Sequence, residues 1–176
     1  MNLKKYADEI GLTKSSSDNE EFIEKEAKSR YFTEQIIWGI SKDYQVEQMP
    51  LYNDFDVRFV SGGTLYKVES KVREYDSKKY DDFRISAGKC DFDNAKNWMV
   101  IAYFNDDKKW YLWDINQCKP KFVENGWRHW KYTASHPNNY IVEEDCWVFD
   151  FDKAYLTGKL EKTYKGVDVD RVYEAN

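Results

Sequence analysis

Prolines and glycines are few: three and eight in 176 residues. That scarcity excludes collagen-like repeats and any architecture dominated by linkers. Histidine is scarcer still, with only His129 and His136. With so few imidazoles, and no CxxC pair among Cys90, Cys118 and Cys146, no zinc site in motif spacing is expected. An odd set of unpaired thiols suits a reducing compartment, so free cysteines and a cytoplasmic location are expected. No run of eighteen apolar residues occurs, so no membrane-spanning helix and no membrane partner are expected. The first nine residues turn acidic before any apolar run, so no secretory leader is expected. Excess positive charge is also missing: 27 Lys and Arg stand against 32 Asp and Glu, a net charge of −5. That balance excludes a protein that coats nucleic acid nonspecifically. It leaves room for an enzyme that meets nucleic acid through a bound cation, whose ligands are themselves acidic. Phosphate-cradling glycine loops and the G-x-S-x-G elbow are absent.

What the chain has in quantity is aromatic residues, 18% of the total, within a hydrophobic share of 41% and a charged share of 34%. That mix supplies a packed core and excludes a disordered chain. The length suits one domain, residues 1–176. The pattern predicts a short helix over 3–10, stopped by Gly11, and a polar run with three serines over 14–19, so that 1–19 reads as a lead-in. Ser17 with Glu20, or Asp18 with Glu21, has capping-box spacing and announces a helix over 20–40. Its apolar stripe is Phe22, Ile23, Ala27, Tyr31, Ile36, Ile37 and Ile40. The period then changes to two, with strands expected over 44–49, 54–60 and 65–73. A helix is expected between 85 and 96. A strand covered on both faces is expected over 98–104, with its hairpin partner over 110–115. Short strands near 127–132 and 146–151 and a short helix near 152–156 complete the chain. The fold class is α/β, more narrowly α+β: a mixed sheet flanked by helices, with a core over 20–115 and further strands over 116–176.

Gly62-Gly63 suits a two-residue hairpin turn, since both positions tolerate positive φ. With those glycines as the loop, Asp56 lies opposite Glu69 and Asp54 opposite Lys71. Alternation then puts Asp54, Asp56, Glu69 and Lys71 on one face, and Phe55, Val57, Phe59, Tyr66, Val68 and Val72 on the other. Directly opposed residues have Cβ atoms about 5 Å apart. Two carboxylates at that distance repel unless a cation lies between them, and Mg²⁺ takes such oxygen ligands. A lysine two residues along can orient a bound water or stabilise charge on a phosphate. A charged strand face is also what solvent exposure alone produces, and the triplet E-x-K recurs without a hairpin as Glu26-Ala27-Lys28.

Phe55-Asp56 on one strand and Glu69-Ser70-Lys71 on the next resemble the PD-(D/E)xK nuclease superfamily, the restriction-endonuclease-like proteins. A phenylalanine stands where the family name has proline. The order of expected elements over 20–115 is similar to the αβββαβ core of that superfamily. The resemblance implies that Asp56, Glu69 and the backbone carbonyl of Ser70 bind Mg²⁺ or Mn²⁺, with Asp54 as the alternative aspartate. It implies that Lys71 positions the attacking water and that Glu34, on the long helix, holds metal through water or supports the network. The function implied is a metal-dependent nuclease acting on phosphodiester bonds, with DNA the expected partner and a homodimer left open. The alternative is a catalytically silent member of the fold that binds a protein or nucleic acid.

Cations follow the motif. Arg73, Arg84 and Lys89 supply a candidate rim for phosphate contact, although Glu74, Asp76, Asp81 and Asp82 are interleaved with them. In the family, the helix after E-x-K often carries a polar residue facing the site, and Lys89 or Ser86 fits that place. Residues 126–132 alternate aromatics with cations, which makes Arg128 and Lys131 candidate nucleic-acid contacts. An amphipathic strand with a packed aromatic face explains the same pattern.

Overall fold

The computed structural model describes residues 2–12, 20–133, 136–160 and 171–175. The helices are α1 (Leu3–Glu9) and α2 (Glu20–Ile40). The strands are β1 (Val46–Gln48), β2 (Val57–Ser61), β3 (Thr64–Arg73), β4 (Asp82–Ser86), β5 (Trp98–Phe104), β6 (Lys109–Asp114), β7 (Lys121–Thr133), β8 (His136–Asp150), β9 (Leu156–Leu160) and β10 (Arg171–Ala175). They form a seven-stranded sheet, ordered β1-β2-β3-β5-β6-β9-β10, and a three-stranded sheet, ordered β4-β8-β7. Within the larger sheet only β3 and β5 run parallel, so the fold is mixed α+β. Among the described residues no helix is long and apolar enough to cross a membrane.

Asn2 opens α1 by accepting from the Lys5 N–H at 3.1 Å, and Gly11 (φ +71°) follows its end. Tyr6, Ala7 and Leu12 pack on Ile23 and Ala27 of α2, so the described part of the lead-in covers that helix. Further along, Ile36 and Ile37 of α2 pack on Val57, Phe59, Val68 and Ile101 of the large sheet. Phe22, expected in the stripe, is exposed. The capping pairs expected ahead of α2 lie outside the described residues.

Strand β5 is buried along its whole length, as its sequence requires. Met99, Ile101 and Tyr103 face α2, while Trp98, Val100, Ala102 and Phe104 face the small sheet. Each large apolar side chain buried there contributes roughly 1.5–3 kcal/mol. Between the sheets lies an aromatic layer in which Phe83 stacks on Trp113 at 5.4 Å and Phe149 packs on Trp113 at 5.2 Å.

Two expectations fail. No helix occupies 85–96; β4 ends at Ser86 and turns follow to residue 97. Gly88, Asp91, Asp93 and Asn94 disfavour a helix, and Asp91 instead accepts from the Asp93 N–H and the Asn94 amide. Cys90 and Phe92 still reach the aromatic layer from this loop. The αβββαβ order therefore lacks its second helix. The strands near 127–132 and 146–151 are the ends of one long β7–β8 hairpin, and the helix expected near 152–156 is a single 3₁₀ turn, Phe151–Lys153. Strands β9 and β10 extend the large sheet without a counterpart in the sequence reading.

Candidate active site

The β2–β3 hairpin turns at Gly62 (φ +55°) and Gly63 (φ +77°), and its register runs from Ser61↔Thr64 to Val57↔Val68. This is the register set by the apolar alternation. Pairing stops at Val57. Before it the chain bends: Tyr52 takes a left-handed φ of 66°, and Phe55 leaves the α2 side to pack edge-on against Trp98 at 5.8 Å. Asp54 is exposed in this bend and is not placed opposite Lys71. Asp56 stays at the end of the strand. Its N–H donates to the Val68 carbonyl at 3.0 Å, and its carboxylate accepts from the Ser70 N–H at 2.7 Å.

On β3, Glu69, Lys71 and Arg73 share the face of their β5 neighbours Val100, Ala102 and Phe104. Asp56 and Glu69 are both buried, at 8% and 2% exposure, so this is no solvated charged face. The Lys71 ammonium donates to Glu69 Oε1, and to the Ser70 carbonyl at 3.0 Å. Helix α2 closes the site from behind. Its Arg30 donates to Glu26 at 2.8 Å and to the Met49 carbonyl, and its guanidinium lies 3.5 Å from Asp56 Oδ1. Arg30 is 1% exposed. Removing one partner of such a buried pair typically costs about 3–5 kcal/mol.

The set holds three carboxylates, Glu26, Asp56 and Glu69, against two cations, Arg30 and Lys71; Arg30, Asp56 and Glu69 are buried, and Glu26 and Lys71 half-buried. Burial pushes the Glu69 carboxyl above its ordinary range; Lys71 opposes the shift, Asp56 adds to it and Lys89 opposes it weakly. Glu26 is raised for the same first reason, with Asp56 adding and Arg30 and Lys71 opposing. Burial works against the Lys71 charge, but Glu69, Asp56 and Glu26 together outweigh it and hold its pKa above the usual value.

The structure brings Asp56, Glu69, Ser70 and Lys71 together. Glu34 is buried one turn beyond Arg30 and accepts from the Tyr6 hydroxyl at 2.8 Å, which in turn accepts from Gln48 at 3.2 Å. The α2 carboxylate whose field reaches Lys71, and which the Asp56 charge pushes upward, is Glu26. Sequence reasoning missed Glu26 and Arg30. Their signal was the i, i+4 spacing on the helix face that carries Glu34 four residues on, but such a pair looks like any surface ion pair. Lys89 is exposed in the loop after β4, where its charge acts on Glu69. Arg73, Arg84 and Arg128 line one cleft of about 770 Å³ together with Tyr75, Tyr80 and Trp127. The Lys131 side chain lies outside the described residues.

Chemically the centre offers hard oxygen donors: the Asp56 and Glu69 carboxylates and the Ser70 carbonyl. Among the described residues, no cluster of three or more His, Cys, Asp or Glu is arranged to hold a metal ion. Mg²⁺ needs fewer, since it keeps several waters and binds through one or two carboxylates. The donor set fits such an ion once the Lys71 ammonium moves off the two oxygens it now bridges.

No protein-family model matches the chain, and no curated protein matches it. Among solved structures it is similar to a bacterial homing endonuclease, I-Ssp6803I, at 20% identity and a TM-score of 0.35. The alignment covers 51% of this chain and 64% of that one, too slight a likeness to fix fold or activity.

Proposed function

We propose that the protein is a metal-dependent nuclease of the PD-(D/E)xK type, hydrolysing phosphodiester bonds in DNA. The observation that supports this reading is the burial of Asp56 and Glu69 beside the half-buried Lys71 around one hairpin, with one more carboxylate than cation in the set. Asp56 and Glu69 hold Mg²⁺ or Mn²⁺, with the Ser70 carbonyl as a further ligand. Bound there, the ion supplies a water of lowered pKa and screens the phosphate charge. Lys71, released from Glu69, orients the attacking water and stabilises charge developing on the phosphate. Arg30 fixes the Asp56 carboxylate, and Glu26 fixes Arg30. Glu34 ties α1 to α2 through Tyr6.

A second reading has one observation in its favour. Lys71 and Arg30 already answer most of the carboxylate charge, as a static ion network in a silent, partner-binding member of the fold would.

One experiment separates the two. The protein is incubated with plasmid, linear duplex and single-stranded DNA, and with RNA, in Mg²⁺, in Mn²⁺ and in EDTA. DNA cleavage with metal and none in EDTA is expected. Lys71→Met, checked for folding by its melting curve, is expected to cleave at least about 100-fold more slowly. Intact substrate in every condition at enzyme excess would leave the silent reading. Cleavage by a folded Lys71→Met at the wild-type rate would remove Lys71 from the chemistry.

A further inference from the structure

Arg73 lies two residues beyond Lys71 on the same face of β3, about 6.6 Å further along the strand. Its guanidinium sits between two rings, 5.0 Å from Phe83 and 5.9 Å from Trp127. It donates to the Arg84 carbonyl at 3.1 Å and has the Tyr75 hydroxyl beside it. No carboxylate partners it among the described residues. Desolvation lowers its pKa, with Tyr75 opposing, as expected of a cation enclosed without a counter-charge. The nearby acidic groups are otherwise placed: Asp82 is held by Arg84 through two contacts of 2.7 and 2.8 Å, and Asp81 is exposed. Lining the cleft are four cations, Arg73, Lys79, Arg84 and Arg128, against those two aspartates. Arg128 is exposed and only 3.8 Å from Glu143, a loose pair.

Aromatic rings share the cleft. Tyr80 is 54% exposed, Tyr75 meets it edge-on at 5.2 Å, and Trp127 stacks on His129 at 4.0 Å. A β-bulge between Val123 and Trp127 sits beside these rings on β7. A half-buried guanidinium with no carboxylate partner calls for an anion, and the exposed Tyr80 ring offers stacking to a flat heterocycle. The volume of about 770 Å³ is that of a small-ligand cleft, with room for a single nucleotide.

We propose that this cleft holds one unpaired nucleotide of the strand that enters the acidic centre, its phosphate on Arg73 and Arg128 and its base against Tyr80. The proposal rests on the nuclease reading of that centre and gives its substrate class: a strand with at least one unstacked base beside the cleaved bond.

The test is binding of a fluorescently labelled single-stranded DNA oligomer by anisotropy, in EDTA so that nothing is cleaved. A duplex of the same sequence and inorganic phosphate serve as competitors. Single strand is expected to bind more tightly than duplex. Tyr80→Ala, an exposed position that leaves folding intact, is expected to weaken it about tenfold. Arg128→Gln and Arg73→Met are expected to weaken binding and flatten its salt dependence. Wild-type binding by folded Tyr80→Ala and Arg73→Met proteins would overturn the proposal. Inorganic phosphate competing as well as the oligomer, or equal binding of duplex, would also overturn it. Failure of the nuclease reading looks different: the oligomer binds with these dependences, yet no metal brings cleavage.

Discussion

At the scale of single residues, Lys71 and Glu69 are not the exposed ion pair that a solvent-facing hairpin would carry. Glu69 is 2% exposed, and Lys71 is its bonded partner. The pair therefore matters to folding, since loss of Lys71 strands a buried carboxylate. Its pH dependence has a definite sign. A carboxyl whose pKa is raised in the folded protein binds its proton more tightly folded than unfolded. The stability it contributes is present at low pH and is lost as pH rises from the ordinary value near 4.5 through the raised one. Wild type is thus expected to lose stability relative to Glu69→Gln across that interval, and the difference to level off above it. Urea unfolding of both proteins at successive pH values measures this. A difference that instead grows in favour of wild type as pH rises toward 4.5, and stays flat above it, would mean that Glu69 is held below its ordinary range.

At the scale of elements, the β2–β3 hairpin was legible because three signals agreed: two glycines, apolar alternation on both sides, and a register in which slipping buries charge. The nearness of Asp56 to Glu69 followed from them. The bend at 50–56 was not legible, because alternation continues through Phe55 in sequence while the ladder stops at Val57. So Asp54 was placed on a strand it does not join. Strand β4 was missed although Phe83 and Ile85 alternate with polar neighbours, because five residues carry that pattern too briefly to outweigh a helical spacing. The β7 bulge gives a prediction at this scale. A Cβ on Gly126 would lie 2.5 Å from Val123 Cγ1 and 3.0 Å from Cys146 Sγ. Gly126→Ala is expected to cost about 1–3 kcal/mol in chemical denaturation, from overpacking where β7 leaves its ladder. A variant as stable as wild type would show that the β7 backbone shifts without cost, since the Val123 Cβ at 2.7 Å cannot rotate clear.

For the whole molecule, the decisive feature is the path of the chain between the sheets. It runs β1-β2-β3 in the large sheet, β4 in the small, β5-β6 in the large, β7-β8 in the small, then β9-β10 in the large. Side chains pin the layers: Trp113 donates to the Asp150 carbonyl at 2.9 Å and Trp147 to the Cys90 carbonyl at 2.7 Å. A core drawn at 20–115 from the sequence leaves β4 without β8 and β6 without β9. A chain ending at residue 115 is expected to show no cooperative urea transition by tryptophan fluorescence. A sharp transition would show that the large sheet folds without its second layer. The same path sets an order in time during synthesis. Glu26, Asp56, Glu69 and Lys71 all leave the ribosome early, yet the sheet that covers the β5 face beside Glu69 and Lys71 is finished only when β8 has emerged to Asp150. A chain interrupted in translation before that point carries every acidic residue of the centre and leaves that β5 face uncovered, an apolar surface open to aggregation.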